Sequence, residues 1–463
     1  MAVVSNATTA GRLWRNVVAS VVAKGSAAAY RIALVPMLLW FLGAERYGEW
    51  LVISALPSWL ALSSFSLGSV SSSEIALEVA RGDDVGARRT FSTTLVALLL
   101  VSFVGVALVG CFIWLIASGT LDCGPERLPS WATAITVGLL AIAVFVGFFA
   151  EPFAAKLRAA GRADLGIQLN AALPWLELLC CGVALGVSST LVSLAAATLV
   201  ARLIFVAFSW WVSRTAKVAV WFDWSSVRFD RIVPLLRKGV AYQALPLGHA
   251  LSNQAMIMVV AATLGPIAVA VFGTARTMAR LGVQAMELIN FAVWPEMTLL
   301  LGNRDFVRAA SVHRAAAAYT VALGTITAIG VVTAGPRIFT IWTLGELSVS
   351  HALMAIFGLA IVLQSIWHAS LIVQLAVNEH EGVALRYVIG SLAAVFCCWP
   401  LSQAFGLYGA AASSMVIDAI LIPYCLMKAF AITHDTLPQF LAGLLPAARH
   451  GLASVRKRVV TSA

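Results

Sequence analysis

Long apolar stretches alternate with short polar ones along almost the whole chain. An α-helix needs about 20 residues to cross the roughly 30 Å hydrocarbon core of a bilayer, and each apolar stretch reaches about that length. The twelve stretches cover residues 17–42, 47–67, 91–117, 131–155, 166–187, 190–213, 239–262, 266–294, 315–336, 350–376, 384–404 and 408–431. The pattern predicts an all-α polytopic membrane protein with about twelve transmembrane helices and no sizeable soluble domain.

The composition supports this class. Hydrophobic residues make up 61% of the 463 residues and charged residues only 11%, whereas soluble domains contain about 25% charged residues. The net charge of +10 therefore indicates a membrane face with anionic lipid headgroups nearby. It does not indicate nucleic acid as a partner.

The positions of the basic residues predict an orientation. If both termini and the loops after even-numbered helices are cytoplasmic, these regions hold 24 of the 31 Lys and Arg residues, and the opposite loops hold three. The remaining four lie inside the predicted helices. Because Lys and Arg concentrate on the cytoplasmic side of membrane proteins, we expect both termini in the cytoplasm.

Two segments on the predicted cytoplasmic side mix aromatic and aliphatic residues with basic ones. They cover 214–238 and 437–458, and each is expected to form an amphipathic helix on the membrane surface. The expected organisation is a six-helix lobe over 1–213, a linker over 214–238, a second lobe over 239–431 and a basic tail over 432–463.

An internal repeat supports the two lobes. LGAERYGEW at 42–50 and LGPIAVAVF at 264–272 each place an aromatic residue seven positions after the glycine of a helix hairpin. Gly82 and Gly302 are paired in the same way, and Cys-Cys dipeptides at 180–181 and 397–398 fall in the fifth helix of each half. Six helices per half give the halves the same orientation, which predicts pseudo-symmetry about the membrane normal and a cavity between the lobes.

Two arginines are expected near the middle of the membrane. Arg31 lies 12 residues before Gly43, and Arg276 lies 11 residues after Gly265. These separations correspond to depths of about 18 Å and about 16 Å along their helices. Lys24 lies two turns inward of Arg31, and Arg280 lies one turn inward of Arg276.

Further polar residues extend the eighth helix into a stripe, since Gln284 and Glu287 follow the two arginines at helical spacing. The seventh helix contributes His249 and Asn253 at similar spacing. Buried ionisable residues in transmembrane helices face a partner or a water-filled cavity. The candidate substrate-binding residues are therefore Arg31, Arg276, Arg280, Lys24, Gln284, Glu287, His249 and Asn253.

Structural roles compete with binding at several positions. Arg202 in the sixth helix is expected to pair with Glu177 in the fifth. Arg280 could instead pair with Glu287 on its own helix or with a group on a neighbouring helix. His249 and His368 are either proton relays or hydrogen-bonded structural residues. Asp418 has no evident partner in the sequence. No acid lies within four residues of Arg31 or Arg276, which favours binding at these two.

Cationic groups at this depth require an anion, and the planar guanidinium binds phosphate through two parallel hydrogen bonds. An anion with a phosphate head and a lipid tail fits a cavity that opens sideways to the bilayer. The sequence contains no phosphate-binding glycine loop, metal-ligand cluster or nucleophile motif in a plausible context. We therefore expect no catalytic residues, no metal and no cofactor, and a transport role in place of an enzymatic one.

Three segments resemble the Wzx-type polysaccharide flippases of the multidrug/oligosaccharidyl-lipid/polysaccharide exporter superfamily. They are LVPMLLWFLGAERYGEWLVISAL at 34–56, SFSLGSVSSSEIALEVARGDD at 64–84 and FDRIVPLLRKGVAYQALPLGHALSNQ at 229–254. The resemblance implies a MATE-like fold and the outward movement of undecaprenyl-pyrophosphate-linked oligosaccharide repeat units across the bacterial inner membrane. It also implies membrane lipids, a polysaccharide polymerase and a chain-length regulator as partners, and a cationic central cavity that works by alternating access.

Two other functions remain open. A MATE-like drug or cation antiporter would place an acid in its binding helices, whereas the first helix here offers Lys24 and Arg31. A membrane polymerase or glycosyltransferase would carry catalytic side chains on a substantial external loop. The longest predicted external loop, 118–130, contains only Asp122, Glu126 and Arg127 as charged residues.

Overall fold

A computed structural model describes residues 6–118, 130–379 and 381–447, and all regular elements in these ranges are helical. The predicted external loop at 118–130 lies almost entirely outside the described residues, as does the basic tail beyond 447. The chain divides into two compact units between Pro246 and Leu247.

The first unit contains the helices that build the N-terminal half. They are α1 (Asn6–Ile53), α2 (Ala55–Leu60), α3 (Leu67–Ala80), α4 (Asp84–Ala117), α5 (Ser130–Gly147), α6 (Ala150–Ala159), α7 (Ala163–Val187), α8 (Leu191–Ser213) and α9 (Ile232–Tyr242). Short 3-10 turns lie at Ala61–Ser64, Trp224–Ser226 and Phe229–Arg231.

The division between the units falls within α10 (Ala244–Ala250), which continues through a π-helical turn at Leu251–Ala255. The second unit continues with α11 (Met256–Leu264), α12 (Pro266–Gly302), α13 (Phe306–Thr333), α14 (Gly335–Trp342), α15 (His351–Ala376), α16 (Glu381–Ser413) and α17 (Met415–Thr433). A final helix, α18, covers Leu437–Ala447.

The prediction of about twelve transmembrane helices is confirmed. Nine continuous stretches of the described residues are long and apolar enough to cross a membrane. Two of them, Val18–Ala80 and Glu381–Thr433, each contain two predicted spans, which Gly43 and Gly406 separate with non-helical backbone angles. The charged helix α12, 37 residues long, is the twelfth.

Large apolar side chains cover the outer surfaces of both units. Trp40 and Phe396 are each 76% exposed, and Phe103 is 74% exposed. Such exposure would be costly in water but is favourable against lipid chains. Both units also have packed interiors, with Phe145 and Phe148 buried among α3, α4 and α5 in the first, and Trp367 buried among α15, α16 and α17 in the second.

The glycine hairpins of the two halves have the same backbone conformation. Gly43 has φ 73° and ψ 172°, and Gly265 has φ 84° and ψ 176°. This region of conformational space is essentially restricted to glycine, because a Cβ atom would clash with the backbone. The sequence match between the two hairpins therefore reflects one local structure that occurs twice.

The predicted pairing of Gly82 with Gly302 is wrong by two residues. Gly82 and Asp83 donate their N–H groups to the carbonyls of Val79 and Glu78, and Arg304 and Asp305 do the same to Leu301 and Leu300. This is the Schellman arrangement that closes a helix C-terminus. The residue with positive φ is Gly82 in the first half and Arg304, at φ 56°, in the second.

An aspartate begins the next helix in both halves. The Asp83 carboxylate accepts a hydrogen bond from the Gly86 N–H at 2.8 Å, and the Asp305 carboxylate accepts one from the Arg308 N–H at 3.1 Å. Aspartate is a preferred N-cap because its oxygen satisfies one of the unpaired N–H groups of the first turn. The equivalent residues are thus 222 positions apart, as in the pair Gly43 and Gly265.

The expectation of one amphipathic helix over 214–238 is wrong for its first part. Residues 214–231 are irregular apart from the two short 3-10 turns, and the regular helix α9 begins at Ile232. The Asp223 side chain explains one of these turns, since it accepts hydrogen bonds from Ser225 and Ser226 that compete with a continuous helix. In the tail, α18 is helical as expected up to Ala447.

Replacing Gly265 by alanine is expected to lower the free energy of unfolding by about 1–3 kcal/mol, because a β-carbon disfavours this backbone conformation. No atom lies within 4 Å of the added Cβ, so the cost would come from the backbone alone. Gly330→Ala is the matched control, since Gly330 also has free space but lies within helix α13. That substitution is expected to stabilise slightly. Denaturant titration of both variants in micelles measures the difference, and equal effects would contradict the explanation.

Candidate functional site

A network of polar side chains within the second unit surrounds the π-helical turn at Leu251–Ala255. A π-turn closes i→i+5 hydrogen bonds in place of i→i+4 bonds and is frequent at functional sites. The Arg276 guanidinium on α12 donates to the carbonyl oxygens of Ser252 and Asn253 at 3.2 Å and 2.9 Å. Arg276 therefore connects α12 to the irregular turn. The centre of the Phe272 ring lies 5.1 Å from the Arg276 guanidinium carbon.

Arg280 lies one turn further along α12 and is exposed. Its Nη1 donates to the side-chain oxygen of Asn253 at 2.6 Å, and the Asn253 Nδ2 in turn donates to the His249 carbonyl at 2.8 Å. In the described part of the chain neither Arg276 nor Arg280 has a carboxylate within ion-pair distance. Their hydrogen-bond acceptors are neutral.

Tyr387 on α16 completes the network and is not among the residues predicted from the sequence. Its hydroxyl lies 3.1 Å from the Nδ1 of His249 and 3.1 Å from the hydroxyl of Ser252. A side chain at Gly248 would not leave room for this ring, because a Cβ there would lie 2.4 Å from the Tyr387 Cδ1. The only local signal was a polar aromatic residue within an apolar helix.

The other predicted residues of α12, Gln284 and Glu287, follow Arg280 toward the C-terminal end of the helix. Gln284 and Glu287 are both half-buried, and Glu287 interacts electrostatically with His249 and His368. His368 also lies 3.3 Å from the side-chain nitrogen of Gln364. Both histidines therefore have hydrogen-bond partners within the second unit, which supports their structural interpretation.

The predicted residues of the first unit lie on α1, where Arg31 is half-buried and Lys24 is exposed. Both interact with other groups of the protein. The structure thus brings together Arg276, Arg280, His249 and Asn253. That Arg31 and Arg276 contribute to one site stays a prediction.

The expected ion pair between Arg202 and Glu177 is confirmed, with 2.8 Å between Nε and Oε1. Asp418, for which the sequence offered no partner, is buried and accepts a hydrogen bond from the Trp367 indole nitrogen at 2.8 Å. The two residues are 51 positions apart on α15 and α17. Over the ranges that the structure describes, no group of three or more His, Cys, Asp or Glu residues is arranged to hold a metal ion.

Solved structures with the same fold are transporters. An inward-facing multidrug resistance MATE family transporter of the MOP superfamily is 16% identical, with a TM-score of 0.72 over 89% of this chain and 96% of that chain. An outward-facing structure with the same description is 17% identical, with a TM-score of 0.59 over 92% and 97%. A MOP superfamily transporter from Pyrococcus furiosus Vc1 (DSM3638) is 15% identical, with a TM-score of 0.62 over 91% and 96%.

Comparison of the sequence alone gives no further match, since no protein-family model and no curated protein matches it. The structural similarity extends over nearly the full length of both chains at low identity. Together with the twelve helices and the repeated hairpins, it shows that this polytopic membrane protein has the fold of the MATE transporters of the MOP superfamily.

Proposed function

We propose that the protein is a transporter that moves a lipid-linked anion across the membrane, and that Arg280 binds the phosphate of that anion. The observation that carries the proposal is the arginine pair on α12, for which the described residues of this membrane protein provide no carboxylate partner. An arginine at the centre of a transmembrane helix costs about 2.5–3.5 kcal/mol on insertion scales. Such a cost is offset when a substrate supplies the missing negative charge.

The two arginines have different roles, structural for Arg276 and substrate-binding for Arg280. Arg276 uses two of its N–H groups on the carbonyls of the π-turn, so its main role is to hold that turn. Arg280 is more exposed and is oriented by the Asn253 amide. Because the two like charges are one turn apart, they repel each other until an anion lies between or beside them.

A pyrophosphate fits this arrangement better than a single carboxylate would. The planar fork of a guanidinium matches two oxygens of either group, but a pyrophosphate offers enough oxygens for both arginines. Further hydrogen-bonding groups lie nearby, namely the hydroxyls of Tyr387 and Ser252 and the ring of His249. Such groups can donate to and accept from the hydroxyl groups of a sugar. A lipid tail would remain in the bilayer during the passage.

The finer proposal follows the resemblance to the Wzx-type flippases. The substrate is an undecaprenyl-pyrophosphate-linked oligosaccharide repeat unit, moved outward across the bacterial inner membrane by alternating access for surface polysaccharide synthesis. A polysaccharide polymerase and a chain-length regulator would act on the product. The Pyrococcus furiosus transporter is described by a reversed polarity of its binding pocket that suggests a different function, which is compatible with a substrate unlike that of the multidrug transporters.

The second candidate is a drug or cation antiporter. The multidrug resistance transporters with the same fold favour it, and so does the buried carboxyl group of Asp418, since coupling to protons or cations uses buried acids. The charge of the α12 stripe separates the two candidates. A cationic drug would be repelled by Arg276 and Arg280, whereas an anionic lipid would be attracted.

The test uses purified full-length protein in proteoliposomes with a fluorescent polyprenyl-pyrophosphate-oligosaccharide. Arg280→Ala is expected to slow translocation about tenfold or more, since a hydrogen bond to a charged group contributes about 1.5–3 kcal/mol. Arg280→Lys should retain part of the rate, because lysine keeps the charge and loses the planar fork. Arg276→Ala is expected to reduce the amount of folded protein as well, because two carbonyls lose their donors.

Arg337→Ala is the matched control, since Arg337 is an exposed arginine on α14, away from the network. It should leave translocation unchanged. Unchanged translocation by Arg280→Ala at normal protein abundance would refute the site. Efflux of a cationic dye that survives in Arg280→Ala, with no translocation of the lipid by any variant including the wild type, would instead establish the antiporter.

A further inference from the structure

A cavity of about 510 Å³ lies in the first unit, where the ends of α4, α6 and α8 meet the segment that follows α8. Its walls carry five aromatic residues and two basic ones. The aromatic residues are Phe91, Phe153, Trp210, Trp221 and Phe222, and the basic ones are Lys156 and Arg214. None of these residues belongs to the candidate transport site in the second unit.

The two cations of the cavity have no counter-ion among the residues that the structure describes. Lys156 and Arg214 are close enough to repel each other, and neither forms an ion pair within the described part of the chain. Two like charges at one cavity are unfavourable unless an anion compensates them.

A third cation stands beside the same wall. The Arg88 guanidinium carbon lies 3.6 Å from the centre of the Trp221 ring, and no described residue accepts a hydrogen bond from the buried Nε of Arg88. The nearby Asp223 carboxylate accepts hydrogen bonds from Ser226 and Ser225, which lower its pKa, and it also interacts electrostatically with Arg88. One carboxylate beside three cations still leaves the described part of the cavity with a net positive charge.

The position of the cavity points to the membrane surface. It lies at the ends of helices that lead into basic segments, the side that the charge distribution assigns to the cytoplasm. Trp210 is 49% exposed and Trp221 is 50% exposed. Tryptophan favours the headgroup region, where its apolar ring and polar N–H meet lipid and water, and basic cavities between helices on this side bind acidic headgroups.

We propose that this cavity binds the phosphate of an anionic phospholipid from the cytoplasmic leaflet, with the glycerol and upper acyl chains against the aromatic wall. Lys156 and Arg214 contact the phosphate, and Arg88 adds charge behind Trp221. A soluble phosphate would satisfy the cations but would leave the large aromatic surface without a partner. The occupant is therefore a lipid, and it binds independently of the transported substrate.

The test measures how strongly full-length protein in nanodiscs enriches phosphatidylglycerol over phosphatidylcholine, by native mass spectrometry after extraction. The double variant Lys156→Gln/Arg214→Gln is compared with Lys217→Gln/Arg228→Gln, which removes the same amount of charge from the segment after α8 but outside the cavity. Each basic residue that contacts an anionic headgroup strengthens its binding. We therefore expect the enrichment to fall about tenfold or more in the cavity variant and less than about twofold in the control. Equal losses, or full enrichment in the cavity variant, would overturn the proposal.

Two further arms address folding and the identity of the anion. The charge-keeping variant Lys156→Arg/Arg214→Lys should retain the enrichment, and its loss there would show that charge in the cavity is not what holds the lipid. Millimolar inorganic phosphate should not displace phosphatidylglycerol, because it cannot use the aromatic wall. Displacement by phosphate would assign the cavity to a soluble anion and refute the lipid.

Discussion

Replacing Arg314 by alanine is expected to lower the free energy of unfolding by about 3–5 kcal/mol, the usual effect of leaving one partner of a buried ion pair alone. The Arg314 guanidinium on α13 donates to both oxygens of Asp435, at 2.8 Å and 2.6 Å. The Asp435 side chain is 0% exposed. Without Arg314 the one donor that the described residues leave to the buried carboxylate is the backbone N–H of Thr436.

This ion pair fixes α18 to the rest of the second unit, because Asp435 lies two residues before α18 and Phe440 of that helix clusters with Ala317 and Ala369. Asp435→Asn is expected to cost less, since the amide keeps one acceptor and leaves no buried negative charge. The control is Arg308→Ala on the same helix, where Arg308 is 78% exposed and lies 3.4 Å from Asp305. Exposed pairs contribute only about 0–1 kcal/mol.

The pH dependence of Arg314→Ala provides a second measurement. Burial acts to raise the pKa of Asp435, but the hydrogen bonds from Arg314 and Thr436 and the nearby charges outweigh it, so this pKa lies below its ordinary value. A depressed pKa contributes stability above the unfolded pKa of about 3.9 and loses it as the pH falls through the folded pKa. The difference between wild type and Arg314→Ala should therefore shrink below about pH 4. A difference that stays constant there would contradict the ion-pair explanation.

Replacing Arg202 by alanine is expected to destabilise the first unit by a similar amount, about 3–5 kcal/mol. The Glu177 side chain is 16% exposed and lies 2.8 Å from Arg202. Its Oε1 lacks a well-aligned hydrogen bond, so the interaction is mainly electrostatic. In a hydrocarbon environment the unpaired carboxylate would have neither water nor a cation to stabilise it.

A double-mutant cycle separates the interaction energy of the ion pair from the contribution of each side chain alone. Arg202→Ala/Glu177→Gln is expected to recover most of the lost stability, because the second change removes the unpaired charge. Abundance in membranes and denaturant titration in micelles give the four required values. Arg162→Ala is the control, since Arg162 is 49% exposed and lies 3.7 Å from Asp164. A double variant no more stable than Arg202→Ala would show that packing, not charge, dominates.

The fold was largely predictable because hydrophobic length and glycine carry strong physical signals. The twelve apolar stretches and the hairpins at Gly43 and Gly265 identify the helices and their repeat. The pairing of Gly82 failed for a physical reason, since the second half uses Arg304 for the left-handed residue. The aspartates that begin the next helices, Asp83 and Asp305, were the better markers.

The candidate site was predictable only in part. Helical spacing identified Arg276 and Arg280 as one stripe, and it placed His249 and Asn253 on the preceding helix. It did not identify Tyr387, which reaches Ser252 across 135 positions of sequence, nor Trp367 as the partner of Asp418. Such contacts arise from packing between distant segments, which periodicity within one helix does not describe.

The π-turn at Leu251–Ala255 makes the number of residues in its own helix depend on the presence of Arg276 in α12. Closing a turn with i→i+5 bonds takes one residue more than closing it with i→i+4 bonds, so deleting one residue there would restore a regular α-helix. The carbonyls of Ser252 and Asn253 would then bond within their own helix, and Arg276 would lose both acceptors. Homologues with one residue fewer at this turn should therefore lack an arginine at the position of Arg276, and the two changes should occur together in evolution.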